Sequence, residues 1–247
     1  MSSWLSLAAA GEVGKDFFKE RTSDTLPCQA KPNEVFCFDW ARENIDRYGT
    51  PTVQHLELVV ISVIVGFVIA FALALVAHRQ GWLRAPLLAV TGALYTIPSL
   101  AFFFLLLPIT GIGKDTAIIA LAVYTLQIIY RNTMLGLNNV PSSAREAARG
   151  MGYTDRQILW RIELPLAIPE IVAGLRIAVV STVAIATLAV FIGGGGLGTQ
   201  ILNGSNLTFP TSIFIVLAIV VLMALLFDVI LLAAQRVVTP WRRARSA

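Results

Sequence analysis

Residues 146–165 read EAARGMGYTDRQILWRIELP and form a polar, arginine-rich segment between long apolar runs. Ser143–Glu146 and Thr154–Gln157 both have the spacing of a capping box, in which each end of the four-residue stretch caps the other. We therefore predict two short helices that are separated by a break at Gly150 and Gly152. The first helix is predicted to carry one small, apolar face, which consists of Ala144, Ala147, Ala148 and Met151.

The spacing E-A-A-x3-G-x9-I-x-L-P in this segment resembles the EAA loop of ABC-type importer permeases. In that family the first helix of the loop docks into a groove on the cytoplasmic ATPase subunit. The resemblance implies a docking role for Glu146, Ala147, Ala148, Gly152, Ile162, Leu164 and Pro165. The residues alone leave a second interpretation open, in which Glu146 only closes its own helix and the alanine face rests on the membrane surface.

Composition places the chain among membrane proteins with several spans. It has 247 residues, of which 56% are apolar and 14% charged, and its mean hydropathy is +0.74. Such values are too apolar for a soluble domain of this length, so an all-α, polytopic membrane fold is expected. The net charge of +4 does not indicate nucleic-acid binding, because no basic stripe alternates with aromatic residues.

Five apolar segments each approach the roughly 20 residues that a helical span requires. They cover about residues 56–77, 85–107, 116–137, 168–192 and 211–234, and Pro98 interrupts the second. We predict an extracytoplasmic N-terminal tail over residues 1–52 and a transmembrane permease domain over 53–240, of the type I ABC importer kind. The coupling loop would cover 138–166 and a basic, cytoplasmic C-terminus 241–247.

The distribution of arginine predicts the orientation of the spans. Arginines follow the first span, follow the third span and end the chain: Arg79, Arg84, Arg131, Arg145, Arg149, Arg156, Arg161, Arg236, Arg242, Arg243 and Arg245. In the connections at the opposite side, Lys114 is the only basic residue. The EAA-like loop and the C-terminus are therefore expected in the cytoplasm, and the N-terminus outside.

Further stretches resemble the permeases of osmoprotectant importers. These are YTIPSLA at 95–101, LP at 107–108, GIG at 111–113, RNT at 131–133, ATLA at 186–189 and GGGGLG at 193–198. The resemblance covers about residues 56–236 and implies glycine betaine, choline, carnitine or proline betaine as the solute. Tyr95 stands where that subfamily usually has Gln, so a different solute preference is expected if this position lines the path.

Candidate residues for the translocation path or a gate are Tyr95, Pro98, Ser99, Gln127, Thr187, Gly193 and Gly194. Pro98 removes a backbone hydrogen bond, which fits either a hinge or a packing kink. The glycines at 193–196 fit either an outer gate or a plain turn.

Asp228 is an acid inside the fifth span, so a charged partner is expected for it. The candidates are Arg131, Arg176 and Arg236, and a structural ion pair is favoured over a proton relay. Glu163, Glu170 and Arg176 are expected to brace the loop helices. Cys28 and Cys37 are the only cysteines, and either a disulfide or two unpaired thiols is consistent with their spacing.

No catalytic, nucleotide or metal motif is present in the sequence. GIGK at 111–114 ends like a phosphate loop, but Pro108 occupies the position of its first glycine. His55 and His78 lack a metal-ligand spacing. The chain is therefore expected to be a transport subunit without a cofactor of its own, while ATP and Mg bind a partner ATPase.

The resemblance implies four kinds of partner in the bacterial cytoplasmic membrane. These are a cytoplasmic ABC ATPase dimer, a second permease subunit that is identical or homologous, an extracytoplasmic substrate-binding protein and the lipid bilayer. Two alternatives stay open: an ABC importer for another small solute such as an amino acid, and an ion-coupled secondary transporter that uses Asp228.

Overall fold

The computed structural model describes residues 36–239, and every regular element in that range is helical. The α-helices are α1 (Phe38–Glu43), α2 (Gly49–Arg79), α3 (Arg84–Thr96), α4 (Ser99–Thr110), α5 (Lys114–Asn138), α6 (Ser142–Gly150), α7 (Asp155–Ile158), α8 (Leu164–Ile185), α9 (Gly198–Asn206) and α10 (Pro210–Val238). Short 3-10 segments lie at Ile45–Tyr48, Gly81–Leu83 and Ala186–Ile192, and a π-helical turn covers Leu159–Glu163.

Four continuous helical stretches in this range are long and apolar enough to cross a membrane: Ile45–Arg79, Lys114–Asn138, Asp155–Ile192 and Pro210–Val238. Gly81–Thr96 and Ser99–Thr110 form a fifth, broken span with a bend of 100°. The all-α fold and the count of five spans therefore agree with the sequence prediction when the bent pair is taken as one span.

The break in the second span lies at Pro98. Proline disfavours a helical backbone at the residue before it, and Ile97 is extended with ψ 129°. The hydroxyl of Tyr124 donates to the carbonyl oxygen of Ile97, which the helix break leaves without a helical partner. Pro98 therefore ends one helix and starts another, rather than producing a mild kink.

The helix that contains the fourth span is longer than the span predicted from hydropathy. It covers Asp155–Ile192, whereas the predicted span covers about residues 168–192. Pro165 and Pro169 lie inside the helical stretch, and the π-helical turn just before Pro165 widens the backbone where proline would otherwise collide with the preceding turn. The segment between α5 and α8 is residues 139–163 and contains two short helices, and the bounds of 138–166 for the coupling loop stay a prediction.

Small residues let the central helices α2, α5 and α8 pack closely. A Cβ atom added to Gly66 would lie 2.8 Å from the carbonyl oxygen of Ala122, and one added to Gly136 would lie 2.9 Å from that of Ala167. Close backbone approach of this kind is typical of helix pairs in membranes. By contrast, α10 carries a row of exposed apolar side chains, as expected of a helix that faces lipid or another apolar surface: Phe214, Leu217, Val221, Leu222, Leu225, Leu226, Val229 and Ile230.

Hydrogen bonds gather the arginine-bearing connections at one end of the bundle. His78, near the end of α2, lies 2.9 Å from Glu163 at the entry to α8. Gln235, near the end of α10, donates to the carbonyl oxygen of Pro169 at 3.1 Å. These contacts place the C-terminal ends of α2 and α10 beside the segment that holds α6 and α7.

The N-terminal piece packs at the opposite end. The Cys37 amide donates to the Thr211 hydroxyl, and the Tyr48 hydroxyl donates to Ser212, both at 3.0 Å. The indole ring of Trp40 packs edge-on against a phenylalanine at the start of α10. Cys28 lies outside the described residues, so its pairing with Cys37 stays a prediction.

Candidate functional site

The segment between α5 and α8 contains two helices with a break between them. Gly152 has φ +83°, which favours glycine, and α6 ends at Gly150, so the predicted break is confirmed. Thr154 and Gln157 form the predicted capping box at the start of α7. The capping box predicted at Ser143 is wrong, because α6 already begins at Ser142 with Pro141 as its N-cap.

The predicted apolar face of α6 is divided between solvent and the protein interior. Glu146 and Ala147 are exposed, and the Met151 side chain is 66% exposed. Ala148 is fully buried, so it packs α6 against the rest of the chain and does not present a surface to a partner. Among the other predicted docking residues, Gly152 is exposed, Ile162 and Pro165 are half-buried and Leu164 is buried.

Glu163 holds α6 to the membrane helices. Its side chain is only 9% exposed, and its two carboxylate oxygens bind Arg145 Nε at 2.6 Å and His78 Nε2 at 2.9 Å. Arg145 also donates to the carbonyl oxygen of Leu137 at 2.7 Å. These four residues, which we call the Glu163 network, connect α2, the end of α5, α6 and the entry to α8.

Charged pairs on the outer surface of the loop are more weakly held. Arg149 and Asp155 approach to 3.5 Å, but their side chains are 65% and 90% exposed. Exposed pairs of this kind contribute about 0–1 kcal/mol. The Glu163 network is therefore the stronger of the two connections between α6 and the rest of the chain.

Asp228 has a partner within the spans. Arg176 Nε and one terminal nitrogen donate to the two carboxylate oxygens of Asp228, both at 2.8 Å. This bidentate pair joins α8 to α10. Arg176 therefore pairs with Asp228, and the expectation that it braces the loop helices is wrong.

A cavity of about 860 Å³ lies between α3, α5 and α8. It extends from Arg84 and Asn138, at the end that carries α6 and α7, to Tyr95 near the break at Pro98. Tyr95 and Gln127 are the predicted path residues that line it. Sequence reasoning did not assign Arg84, Tyr130 or Asn138 to a path, because helical periodicity does not distinguish a side chain that lines a cavity from one that contacts a neighbouring helix.

The remaining path and gate candidates do not line this cavity: Pro98, Ser99, Thr187, Gly193 and Gly194. Thr187 donates to the carbonyl oxygen of Ala184 at 2.7 Å within its own helix. The glycines form a turn at the opposite end of the bundle, with φ +73° at Gly193. This turn closes on α2, since the Gly196 amide donates to Gln54 at 3.2 Å.

Within residues 36–239, no group of three or more His, Cys, Asp or Glu side chains is placed to hold a metal ion.

Comparison with known proteins gives the family. The family described as "Binding-protein-dependent transport system inner membrane component" matches residues 62–244. The chain is 37% identical over 189 residues to the choline transport system permease protein OpuBB of Bacillus subtilis, which covers 76% of this chain and 87% of that protein. It is 36% identical over 203 residues to the osmoprotectant import permease protein OsmW of Salmonella typhimurium, with coverages of 80% and 94%.

Solved structures give the same fold. The inward-facing MetNI methionine ABC transporter has a chain with a TM-score of 0.68 and 26% identity, over 75% of this chain and 93% of that one. Permeases of this family are transport subunits that work with a separate ATPase chain and a binding protein. The chain is therefore a multi-pass inner-membrane protein that belongs to the family of permease components of binding-protein-dependent ABC transport systems.

Proposed function

We propose that this permease passes a quaternary-amine osmoprotectant from a binding protein into the cytoplasm, driven by ATP. The solute would be glycine betaine, choline, carnitine or proline betaine. One observation carries the proposal: relatives that are 34–39% identical over 68–82% of this chain are named as choline, glycine betaine, carnitine or osmoprotectant permeases.

In this proposal the exposed surface of α6 docks on the ATPase. Glu146, Ala147, Met151 and Gly152 are open to a partner, whereas Ala148 and Leu164 hold the loop from within. A displacement of α6 reaches the spans through the Glu163 network, because Glu163 is bonded to both Arg145 and His78. ATP binding would thus bias two global states of the spans through one helix.

The proposed assembly has two permease subunits, which are identical or homologous, and an ATPase dimer that binds ATP and Mg. The EAA-like loop and the C-terminus face the cytoplasm, and the N-terminus and the glycine turn face outward. This orientation is supported by the arginines gathered at one end of the bundle. The binding protein would approach the opposite end.

An ion-coupled transporter that uses Asp228 is disfavoured by the geometry. Both oxygens of the Asp228 carboxylate are bound by Arg176 at 2.8 Å, so the group is held in a structural ion pair. A solute such as an amino acid is the other alternative, since the structurally similar MetNI system is named for methionine.

Uptake of labelled glycine betaine into proteoliposomes tests the proposal. The vesicles would contain this permease with its partner ATPase and its binding protein. We expect uptake that requires ATP and that Glu146→Lys abolishes by placing the wrong charge on the docking surface. Glu146→Gln removes the charge without reversing it on the same exposed side chain, so it is the matched control and should retain uptake.

Two outcomes would contradict different parts of the proposal. ATPase activity that the loaded binding protein stimulates, without uptake of any quaternary amine, would keep the importer class and reject the solute. Uptake that proceeds without the ATPase would reject ATP coupling.

A further inference from the structure

We infer that the cavity between α3, α5 and α8 is a transient binding site for a zwitterionic solute, in which Arg131 binds the carboxylate and Tyr95 contacts the quaternary ammonium group. The inference rests on the proposed function and deepens it. It assigns a preference for carboxylate-bearing solutes over choline to the permease itself.

The size and position of the cavity suit a small solute in transit. Its volume of about 860 Å³ lies within the range of about 300–1,000 Å³ that is typical of small-molecule sites. One end lies at Arg84 and Asn138, beside the coupling loop, and the lining reaches the middle of the bundle at Tyr95. A solute in this cavity would therefore lie between the break at Pro98 and the cytoplasmic end of the proposed assembly.

The charge of the lining favours a carboxylate. Arg84 and Arg131 line the cavity, and among the described residues no acidic side chain does. Arg84 donates to the carbonyl oxygens of Ala77 and His78 at 3.3 Å and 3.0 Å, which are neutral groups and leave its charge unpaired. A solute that carries only a positive charge is repelled by such a lining.

Arg131 is the arginine that is free to bind. Its side chain is exposed to the cavity, and within residues 36–239 it makes no hydrogen bond or ion pair. A guanidinium group presents paired N–H donors that match the two oxygens of a carboxylate. Arg131 thus leaves its paired N–H donors open to the cavity, where a carboxylate can accept them.

Tyr95 offers an aromatic surface at the other end of the cavity. Its side chain is 43% exposed, and its ring packs edge-on against Tyr124 with 6.0 Å between centroids. Tyr124 is itself held by its hydrogen bond to Ile97 and by the edge of Phe102. A quaternary ammonium group cannot donate a hydrogen bond, so an aromatic ring in a fixed position is a suitable partner for it.

Arg131 and the ring of Tyr95, which packs against Tyr124, lie close enough for one small molecule to contact both. Tyr124 and Arg131 are seven residues apart and so lie on the same face of the helix, separated by about 10 Å along its axis. Side chains on a helix tilt toward its N-terminus, which directs Arg131 toward Tyr124 and Tyr95. Glycine betaine and carnitine carry an ammonium and a carboxylate a few bonds apart, whereas choline has only the ammonium.

Equilibrium binding of labelled glycine betaine to the purified permease–ATPase complex tests this inference without the binding protein. We expect saturable binding that choline displaces at least tenfold less well than unlabelled glycine betaine does. Arg131→Met should weaken glycine betaine binding at least tenfold, and Arg131→Lys should restore most of it. Tyr95→Leu should weaken binding about threefold or more, whereas Tyr95→Phe keeps the ring and should bind like the wild type.

Arg236→Met removes an exposed arginine outside the cavity and serves as the matched control. Stimulation of the ATPase by the loaded binding protein shows whether each variant is folded. Two results would overturn the inference: equal displacement by choline and glycine betaine, or wild-type binding by a folded Arg131→Met variant. If the wild type still showed ATP-driven uptake, the proposed function would stand. Absence of quaternary-amine uptake by the wild type would overturn both.

Discussion

Replacing Arg145 by methionine tests the connection between α6 and the spans most severely. The change keeps much of the side-chain length but removes the charge that binds Glu163 at 2.6 Å and the Leu137 carbonyl oxygen at 2.7 Å. Glu163 would then remain buried with His78 as its only partner in the network. The helix α6 would lose its strongest attachment to α5 and α8.

The expected cost follows from the burial of the pair. Removing one partner of a fully buried ion pair costs about 3–5 kcal/mol. The Arg145 side chain is 27% exposed and His78 stays beside the carboxylate, so we expect about 2–3 kcal/mol for this variant. Since each 1.4 kcal/mol is a factor of ten, the attached arrangement of α6 becomes roughly 30- to 150-fold less favoured.

We expect this loss to appear as uncoupling. In proteoliposomes, uptake and the stimulation of ATPase activity by the loaded binding protein should both fall at least tenfold, while the complex still assembles in the membrane. Combining Arg145→Met with Glu163→Gln removes the unpaired buried charge, so thermal stability in detergent should partly recover.

Arg149→Met is the matched control, because it makes the same substitution on the same helix. Its partner Asp155 is 90% exposed and 3.5 Å away, so the change should cost less than about 1 kcal/mol of stability in detergent. Identical thermal stability in the Arg145→Met and Arg149→Met variants would refute the role of the Glu163 network.

Three further predictions concern the turn, the helix packing and the ion pair. Gly152→Val forces a branched residue to φ +83°, which costs about 1–3 kcal/mol. We expect this variant to hydrolyse more ATP for each solute molecule carried, whereas the control Gly150→Ala should not. An unchanged ratio of ATP to solute in Gly152→Val would show that the turn has no role in coupling. Gly66→Ala places a methyl group against Thr125 and the Ala122 carbonyl, and should lower the free energy of unfolding by about 1–3 kcal/mol. The control Gly81→Ala adds a methyl group in open space and should unfold at the wild-type temperature. Equal unfolding temperatures for the two variants would contradict the close packing of α2 and α5. Asp228→Asn should lower thermal stability but retain ATP-driven uptake, and complete loss of uptake by a folded variant would favour the ion-coupled alternative.

Local patterns in the sequence predicted the local features of the structure. The break at Gly150 and Gly152 and the capping box at Thr154 depend on neighbouring residues, and both occur as expected. Pro98 divides the second span for the same reason, since proline acts on the residue directly before it. The approximate positions of the spans could be predicted from hydropathy, because each apolar run is long compared with the polar connection beside it.

Features that depend on tertiary packing could not be read from the sequence. Hydropathy did not show that the helix of the fourth span extends back to Asp155, because Arg156 and Arg161 make this stretch polar. Helical periodicity grouped Ala148 with Ala147, although packing against the rest of the chain buries only Ala148. The partners of Glu163 are 18 and 85 residues away in the chain, so only the fold reveals that they meet.

The central claim is that the exposed surface of α6 contacts the ATPase. The most direct measurement places the photo-crosslinking amino acid benzoylphenylalanine at position 147, in the transport-active complex, and asks which subunit it labels. Ala147 is exposed on α6, and Leu226, which is 61% exposed in the apolar row of α10, is the control position. We expect an adduct with the ATPase subunit from position 147 and none from position 226. A complex that transports solute but gives no ATPase adduct from position 147 would contradict it.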